Sequence, residues 1–179
     1  MAKIKEKTTR SKEKITRIAV FDFDKTLFLT PDREEALERY KQFTGIDWPH
    51  KGWWSREESL DTSMFSIPVI ESVLADYQAE ATKDNTLLVL LTGRIQRLST
   101  HVEKILDIYN IKFDEYHYNN THSTLDFKLS VLDDLLEYYP NATSIHCWED
   151  RLEYMPHFLE WGEKQKINFK LTEVKPIIK

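Results

Sequence analysis

The sequence is poor in the features that would place a protein outside the cell or in a membrane. Among 179 residues it has a single cysteine, Cys147, so it cannot form an internal disulfide. No apolar run approaches the roughly 18 residues that a membrane-spanning helix needs. The N-terminus carries charges where a secretory signal would be apolar. We therefore expect an intracellular, cytoplasmic protein that does not contact membranes.

The sequence also lacks an excess of basic residues, with 25 Lys and Arg against 30 Asp and Glu, and its net charge of −5 does not suit a general nucleic-acid binder. Apolar residues make up 41% and charged residues 31% of the chain, which is typical of a globular protein. Residues 1–17 differ, with seven basic and two acidic side chains. We expect them to form a disordered arm that aids solubility or touches phosphates. Residues 18–179 are expected to form one domain.

The most informative stretch is FDFDKTLF, residues 21–28. It follows the apolar residues 18–20, so it reads as a buried strand that ends in Asp22 and Asp24. In open parallel sheets, ligands bind at the carboxyl ends of the strands. Two acids in different environments can serve as an ionised nucleophile and a proton donor. The alternative is that Asp-x-Asp simply begins a turn.

Hydrophobic periodicity predicts alternating strands and helices. The expected strands are residues 17–24, 86–91, 113–118, 144–148 and 168–174. The expected helices are residues 32–43, 67–82, 94–109, 124–139 and 151–166. This alternation predicts an α/β protein, a Rossmann-like three-layer sandwich with a central parallel sheet.

Three further motifs follow in order. A second apolar strand, LLVLLTGR, ends in Thr92 and Gly93; Lys128 lies in a predicted helix; and Glu149 and Asp150 follow the strand SIHCW. Together with residues 21–28, these motifs resemble the haloacid dehalogenase (HAD) superfamily of phosphatases. Lys112 is a rival for the role of the lysine. The intervals where this family carries its caps are short here, so the resemblance implies a small cap or none.

The resemblance also implies a mechanism, in which Asp22 attacks phosphorus to form an aspartyl-phosphate and Asp24 transfers protons. As catalytic residues it implies Asp22, Asp24, Thr92 and Lys128. As substrate-binding residues it implies Thr26, Gly93, Arg94 and Arg151. As ligands of Mg²⁺ it implies Asp22, Asp24, Glu149 and Asp150, with Asp24 acting through its backbone carbonyl. Arg94 and Arg151 could clamp a phosphate or form salt bridges on helix surfaces.

Residues 45–66 fit no regular period and contain Trp48, Trp53 and Trp54, so we expect a Trp-rich insertion near the mouth of the site. The tryptophans could pack the insertion onto the sheet or stack on unpaired bases. The run Leu-Phe-x-Thr-Pro, the Trp-Trp pair and Glu-Asp-Arg at residues 149–151 resemble the HAD domain of Swiss Army Knife RNA repair proteins.

This resemblance implies that the substrate is a phosphomonoester at a nucleic-acid end, with a repair ligase or kinase as a partner. Two alternatives stay open. The same site could serve a small-metabolite, nucleotide or protein phosphatase. The fold could also act as a catalytically silent module that binds phosphorylated ends.

Overall fold

The apolar segment before Asp22 forms the central strand of a five-stranded sheet. The computed structural model describes residues 12–175 of the protein. Within this range the strands are β1 Arg17–Phe21, β2 Thr86–Ile95, β3 Glu115–Asn119, β4 Ser144–Glu149 and β5 Asn168–Glu173. The α-helices are α1 Arg33–Thr44, α2 Glu71–Ala81, α3 Ser99–Ile108, α4 Thr124–Tyr138 and α5 Met155–Lys164.

The sheet has the order β3-β2-β1-β4-β5, and every pairing is parallel. The chain thus moves outward from β1 to β3 on one side and returns to β4 and β5 on the other. Because β1 has a partner on each side, its carboxyl end lies between those of β2 and β4. This is the predicted Rossmann-like α/β fold, and the prediction is confirmed.

Alternate residues of β1 point into two separate cores, as strand geometry requires. Ala19 and Phe21 belong to the core that also contains buried residues of α1, α2 and α3. Ile18 and Val20 belong to the core formed with α4 and α5. The Phe21 ring stacks on that of Trp148 in β4, with 4.2 Å between the ring centroids. Helices therefore cover both faces of the sheet and make the three layers.

Several predicted boundaries were wrong. The first strand ends at Phe21 rather than at residue 24. The helix expected from residue 94 begins only at Ser99, because β2 continues to Ile95 and a 3-10 turn follows. The helices expected to start at residues 67 and 151 begin at Glu71 and, after another 3-10 turn, at Met155.

The Trp-rich segment at residues 45–66 has one short 3-10 helix, Glu57–Leu60. Trp53 is only 1% exposed, and its ring lies edge-on to those of Trp48 and Phe65. Trp54 behaves differently, since it is 36% exposed. Packing therefore accounts for Trp53 and leaves Trp54 at the surface.

The arm expected at residues 1–17 lies only partly within the described residues. Lys12–Lys14 form a 3-10 turn, Ile15 is fully buried and Arg17 opens β1. The expectation of disorder is thus wrong for residues 12–17, and the remainder of the arm lies outside the described residues. Among residues 12–175, no helix is both long enough and apolar enough to span a membrane.

Candidate active site

Asp22 directly follows β1 at the carboxyl edge of the sheet. Its amide donates a hydrogen bond to the carbonyl of Trp148, 3.2 Å away, which continues the pairing between β1 and β4. The residue is 6% exposed. Burial holds the pKa of Asp22 well above its usual range, although Lys128 opposes this.

Helix α4 supplies Lys128 to this edge. Its Nζ lies 3.1 Å from Oδ2 of Asp22 and 2.5 Å from Oε2 of Glu149. Burial alone would lower the pKa of Lys128. The carboxylates of Asp22 and Glu149 have the larger effect, so the pKa of Lys128 is raised and the ammonium stays charged. Lys112, the rival in the sequence, is exposed and lies before β3. The structure therefore brings Lys128, and not Lys112, to Asp22.

Three carboxyl groups converge beside Lys128. Oxygens of Asp22, Glu149 and Asp150 all lie within 4.8 Å of one another, since β4 ends next to β1. Burial, followed by the charge of Glu149, raises the pKa of Asp150 to about 6. Three carboxylates against one ammonium leave a net charge of about −2 when all are ionised.

This cluster fits a divalent cation. Hard carboxylate oxygens are the donors that Mg²⁺ prefers, and a +2 charge would offset the excess negative charge. Asp22, Glu149 and Asp150 are thus the residues that could hold the ion. The carboxylate of Asp24 lies outside the cluster. A contact through its backbone carbonyl stays a prediction.

Asp24 is instead paired with Arg94. Nε and Nη2 of Arg94 donate to the two carboxylate oxygens of Asp24 at 2.8 and 2.7 Å, a bidentate arrangement. Burial alone would raise the pKa of Asp24. The charge and the hydrogen bonds of Arg94 have the larger effect, so the pKa of Asp24 lies below its usual value. Arg94 is 2% exposed. Of the two alternatives for Arg94, a salt bridge on a helix surface is wrong, because Arg94 lies within β2; contact with a phosphate stays a prediction.

Arg94 also ties the Trp-rich segment to the site. Its remaining nitrogen, Nη1, donates to the carbonyl of Trp54 at 2.7 Å and to Oγ of Ser59. The guanidinium lies over the Trp54 ring, 5.0 Å from the ring centroid. One buried side chain thus joins a motif acid to the segment at the mouth of the site.

The hydroxyls of Thr26 and Thr92 are both fully buried. Thr26 donates a long hydrogen bond of 3.4 Å to Oδ1 of Asp150, and Thr92 accepts one of 3.1 Å from the amide of Arg94. Gly93 lines the pocket, and a Cβ there would lie 3.0 Å from Cγ2 of Thr124. Contacts of these three residues with phosphate stay predictions.

Arg151 lies at the rim of the site. Its backbone amide donates to Oε1 of Glu149 at 3.2 Å, which helps to orient that carboxylate. Its guanidinium donates to the hydroxyl of Tyr154 at 2.7 Å and lies over the same ring. A neutral hydroxyl leaves the positive charge of Arg151 available to a ligand. Its role as a phosphate clamp stays a prediction.

Most of the residues with predicted roles line one pocket of about 370 Å³. The pocket contains Asp22, Asp24, Lys128, Asp150, Gly93, Arg94 and Arg151. Sequence reasoning missed Thr124 and Ser59. Thr124 lies four residues before Lys128, so helical spacing places it on the same face and could have revealed it. Ser59 lies in the irregular segment, where no sequence signal marked it.

Acids at the ends of β1 and β4, a lysine from α4 and this sheet order define a haloacid dehalogenase-type α/β domain. The chain belongs to the family described as HAD domain family 1 in Swiss Army Knife RNA repair proteins, whose model matches residues 36–179. The matched span includes Arg94, Lys128 and Asp150 but begins after Asp22 and Asp24. Assignment of Asp22 and Asp24, which follow β1, therefore depends on the motif and on the geometry described above.

Solved structures share the fold. A chain in the Pnkp1/Rnl/Hen1 complex superposes with a TM-score of 0.58 at 15% identity, over 89% of this chain and 46% of that one. A haloacid dehalogenase-like hydrolase of Streptococcus pneumoniae gives 0.53 at 16% identity, over 87% and 83%. An archaeal beta-phosphoglucomutase from a Pyrococcus species gives 0.53 at 15% identity, over 82% and 83%.

The chain is also similar in sequence to the uncharacterized protein YMR265C of Saccharomyces cerevisiae. The two are 24% identical over a region that covers 80% of this chain and 36% of the yeast protein. The chain thus spans about a third of that relative and about half of the matched chain in the Pnkp1/Rnl/Hen1 complex.

Proposed function

We propose that the protein is a Mg²⁺-dependent phosphomonoester hydrolase that acts through an aspartyl-phosphate on Asp22. The observation that carries this proposal is that Asp22 lines the pocket, with its Oδ2 3.1 Å from the ammonium of Lys128 and with oxygens of Glu149 and Asp150 within 4.8 Å. A nucleophilic carboxylate needs a nearby positive charge, because it must approach a doubly negative phosphate. A bound Mg²⁺ would supply further positive charge beside the phosphate.

The residues divide the chemistry between them. An oxygen of Asp22 forms a bond to phosphorus and the bond to the leaving oxygen breaks, so the leaving oxygen takes up a proton from Asp24 or from water. Lys128 offsets the charge around the attacking carboxylate. Water then attacks the aspartyl-phosphate and gives up a proton, which frees Asp22 and inorganic phosphate. Asp24, held ionised by Arg94, can accept that proton. The same ion pair opposes the earlier step, in which Asp24 would protonate the leaving oxygen.

We further propose an end phosphate of RNA or DNA as the substrate, and an intracellular place of action. The family description, which names RNA repair proteins, supports this choice. So does the pocket, whose rim carries the positive charge of Arg151. A repair ligase or kinase, on the same or another chain, would complete the reaction sequence, since removal of an end phosphate prepares a hydroxyl end for joining. The same site in a small-metabolite, nucleotide or protein phosphatase is the alternative within enzymes.

A second candidate function is a module that binds phosphorylated ends without turnover. The bidentate pair of Arg94 and Asp24 favours it, because a clamped Asp24 is a poor proton donor. Binding would then depend on Lys128 and Arg151, with Asp22 and Asp24 in structural roles.

Phosphate release tests both candidates. The substrates are oligonucleotides with a 3′ or 5′ phosphate, a phosphopeptide, nucleotides and p-nitrophenyl phosphate, each with Mg²⁺ or with a chelator. We expect release from an oligonucleotide end to exceed release from the small esters, and to disappear with chelator or with Asp22→Asn. Turnover of small esters alone would reject the repair substrate. Absence of all turnover, with retained binding of phosphorylated ends, would favour the binding module.

A further inference from the structure

Trp54 is the exposed aromatic side chain of the candidate pocket. The indole is 36% exposed and lines the same cavity as Asp22 and Asp24. Isolated apolar side chains on a surface are ordinary and need no explanation. Trp54 differs from them, because the residues around it fix its main chain beside charged groups of the site.

Three anchors hold the main chain of this residue. The preceding Trp53 is buried at 1% exposure in the core. The carbonyl of Trp54 accepts a hydrogen bond of 2.7 Å from Arg94, and the carbonyl of Ser55 accepts one of 2.9 Å from Arg97. A ring on a fixed main chain loses little conformational freedom when a ligand binds, which is a property of preorganised binding sites.

The guanidinium of Arg94 contacts both the Trp54 ring and the carboxylate of Asp24. It lies over the indole, 5.0 Å from the ring centroid, and bonds to both oxygens of Asp24. The Trp54 ring and the Asp24 carboxylate therefore contact different parts of the same guanidinium group, which sets the aromatic surface apart from the site acids. A planar ligand that stacks on Trp54 would carry its phosphate some distance from its own ring.

We propose that Trp54 is the stacking platform for the terminal nucleobase of a phosphorylated nucleic-acid end, and so sets substrate specificity. This inference rests on the proposed function. In a nucleotide, the sugar separates the base from the phosphate, which agrees with a platform set apart from Asp22 and Asp24. In phosphotyrosine, the phosphate is bonded directly to the ring, so a ring against Trp54 would hold its phosphate away from Asp22. Stacking of a base on an aromatic side chain contributes about 1–3 kcal/mol and tolerates any base.

The test measures binding in the Asp22→Asn background, so that its result does not depend on turnover. The probes are short oligonucleotides with a 3′ or a 5′ phosphate, each made with a normal or an abasic terminal nucleotide. We expect Trp54→Ala to weaken binding of the base-bearing end about 10-fold, in line with the stacking energy. Trp54→Phe should restore most of the affinity. Neither substitution should change affinity for the abasic end.

Tyr138→Ala is the matched control. Tyr138 is also an exposed aromatic residue, at 52%, but it lies ten residues beyond Lys128 on α4, about 15 Å along the helix. Its removal should leave the affinities unchanged. Intrinsic fluorescence gives a second readout, since the base-bearing end should quench tryptophan emission and Trp54→Phe should abolish that change.

Several results would overturn the platform. These are equal affinity of Trp54→Ala and of the protein that keeps Trp54 for base-bearing ends, an unchanged ratio between base-bearing and abasic ends, and failure of every oligonucleotide to bind. A phosphotyrosine peptide that binds more tightly than the oligonucleotides, in a manner that depends on Trp54, would replace the nucleobase by a protein substrate. Phosphate release by the unsubstituted chain is measured separately, so a silent enzyme with intact stacking is distinguishable from failure of the platform.

Discussion

Arg94 in β2 and Asp24 in the loop after β1 form a bidentate ion pair, with distances of 2.8 and 2.7 Å across 70 residues of sequence. The arginine is almost completely buried. No other residue type has its combination of positive charge and planar, bidentate shape. Asp24, by contrast, faces the pocket with 22% of its side chain exposed. The ion pair thus links the buried Arg94 to Asp24, which a substrate in the pocket can reach.

Arg94→Met should destabilise the protein by about 3 kcal/mol, because it leaves Asp24 and Ser59 without their buried partner. Urea denaturation at neutral pH measures this free energy of unfolding. Arg97→Met is the control, since Arg97 is exposed and donates one hydrogen bond, to the carbonyl of Ser55. We expect it to cost less than about 1 kcal/mol. Equal losses in the two variants would contradict a structural role for the ion pair.

Lys128→Met should reduce phosphate release at least 100-fold, since Asp22 would then approach phosphate without the adjacent ammonium. It should also lower stability, because Asp22 and Glu149 would lose their shared cation. Lys112→Met, at the exposed lysine before β3, should change neither quantity. Comparable activity in the two variants would remove Lys128 from the mechanism.

Mg²⁺ should raise the melting temperature more at pH 7.5 than at pH 5. The pKa of Asp150 is raised from 3.8 to about 6, so protonation of this group stabilises the metal-free fold. That contribution is fully present below pH 3.8 and is lost as the pH rises through about 6. The cation competes with this proton, and so it binds best where Asp150 is ionised.

The measurement is thermal unfolding with Mg²⁺ and with chelator at both pH values. Asp150→Asn should remove most of the Mg²⁺ effect. Asp107→Asn, at an exposed carboxylate of α3, should leave it intact. A Mg²⁺ effect that is larger at pH 5, or that survives in Asp150→Asn, would be evidence against the carboxylate cluster as the metal site.

Gly162→Ala should destabilise the protein by about 2 kcal/mol, because a Cβ at this position in α5 would overlap Phe169 of β5. The added atom would lie 2.2 Å from Cδ1 and 2.9 Å from Cβ of Phe169. Because the overlap reaches Cβ, rotation of the ring alone does not relieve it. Denaturant unfolding of the single variants and of Gly162→Ala with Phe169→Ala measures the coupling. Strict additivity would argue against this clash.

Much of the architecture could be predicted from local patterns. The apolar run before Asp22 and the apolar positions of α4 identify the central strand and the helix that brings Lys128 to it. Motif order identified Glu149 and Asp150 as well, since both follow directly from an apolar strand. Strand and helix periodicity is a local property of the sequence, and parallel topology limits how such elements assemble.

The connection of Arg94 to Asp24 could not be predicted in the same way. The residues after Thr92 resemble a strand-to-helix turn, but β2 continues to Ile95 and holds Arg94 in extended backbone. Its partners, Asp24 and Ser59, are distant in sequence, and Ser59 lies in a segment without periodicity. Long-range pairing between polar side chains leaves no periodic trace. The burial of Trp53 and the exposure of Trp54 could not be predicted either, because both residues lie in that same segment.

The central place of β1 also governs the order in which the domain can be completed during synthesis. β1 pairs with β2, whose first residue is Thr86, and with β4, whose first residue is Ser144. A ribosome therefore makes Asp22 and Asp24 long before β4, because the partner of Arg17 in that strand is Ser144. Until β4 emerges, one edge of β1 lacks its native partner and Asp22 lacks Glu149 and Asp150. Nascent chains that stop short of β4 should thus expose an unpaired apolar strand, which is the kind of segment that chaperones bind.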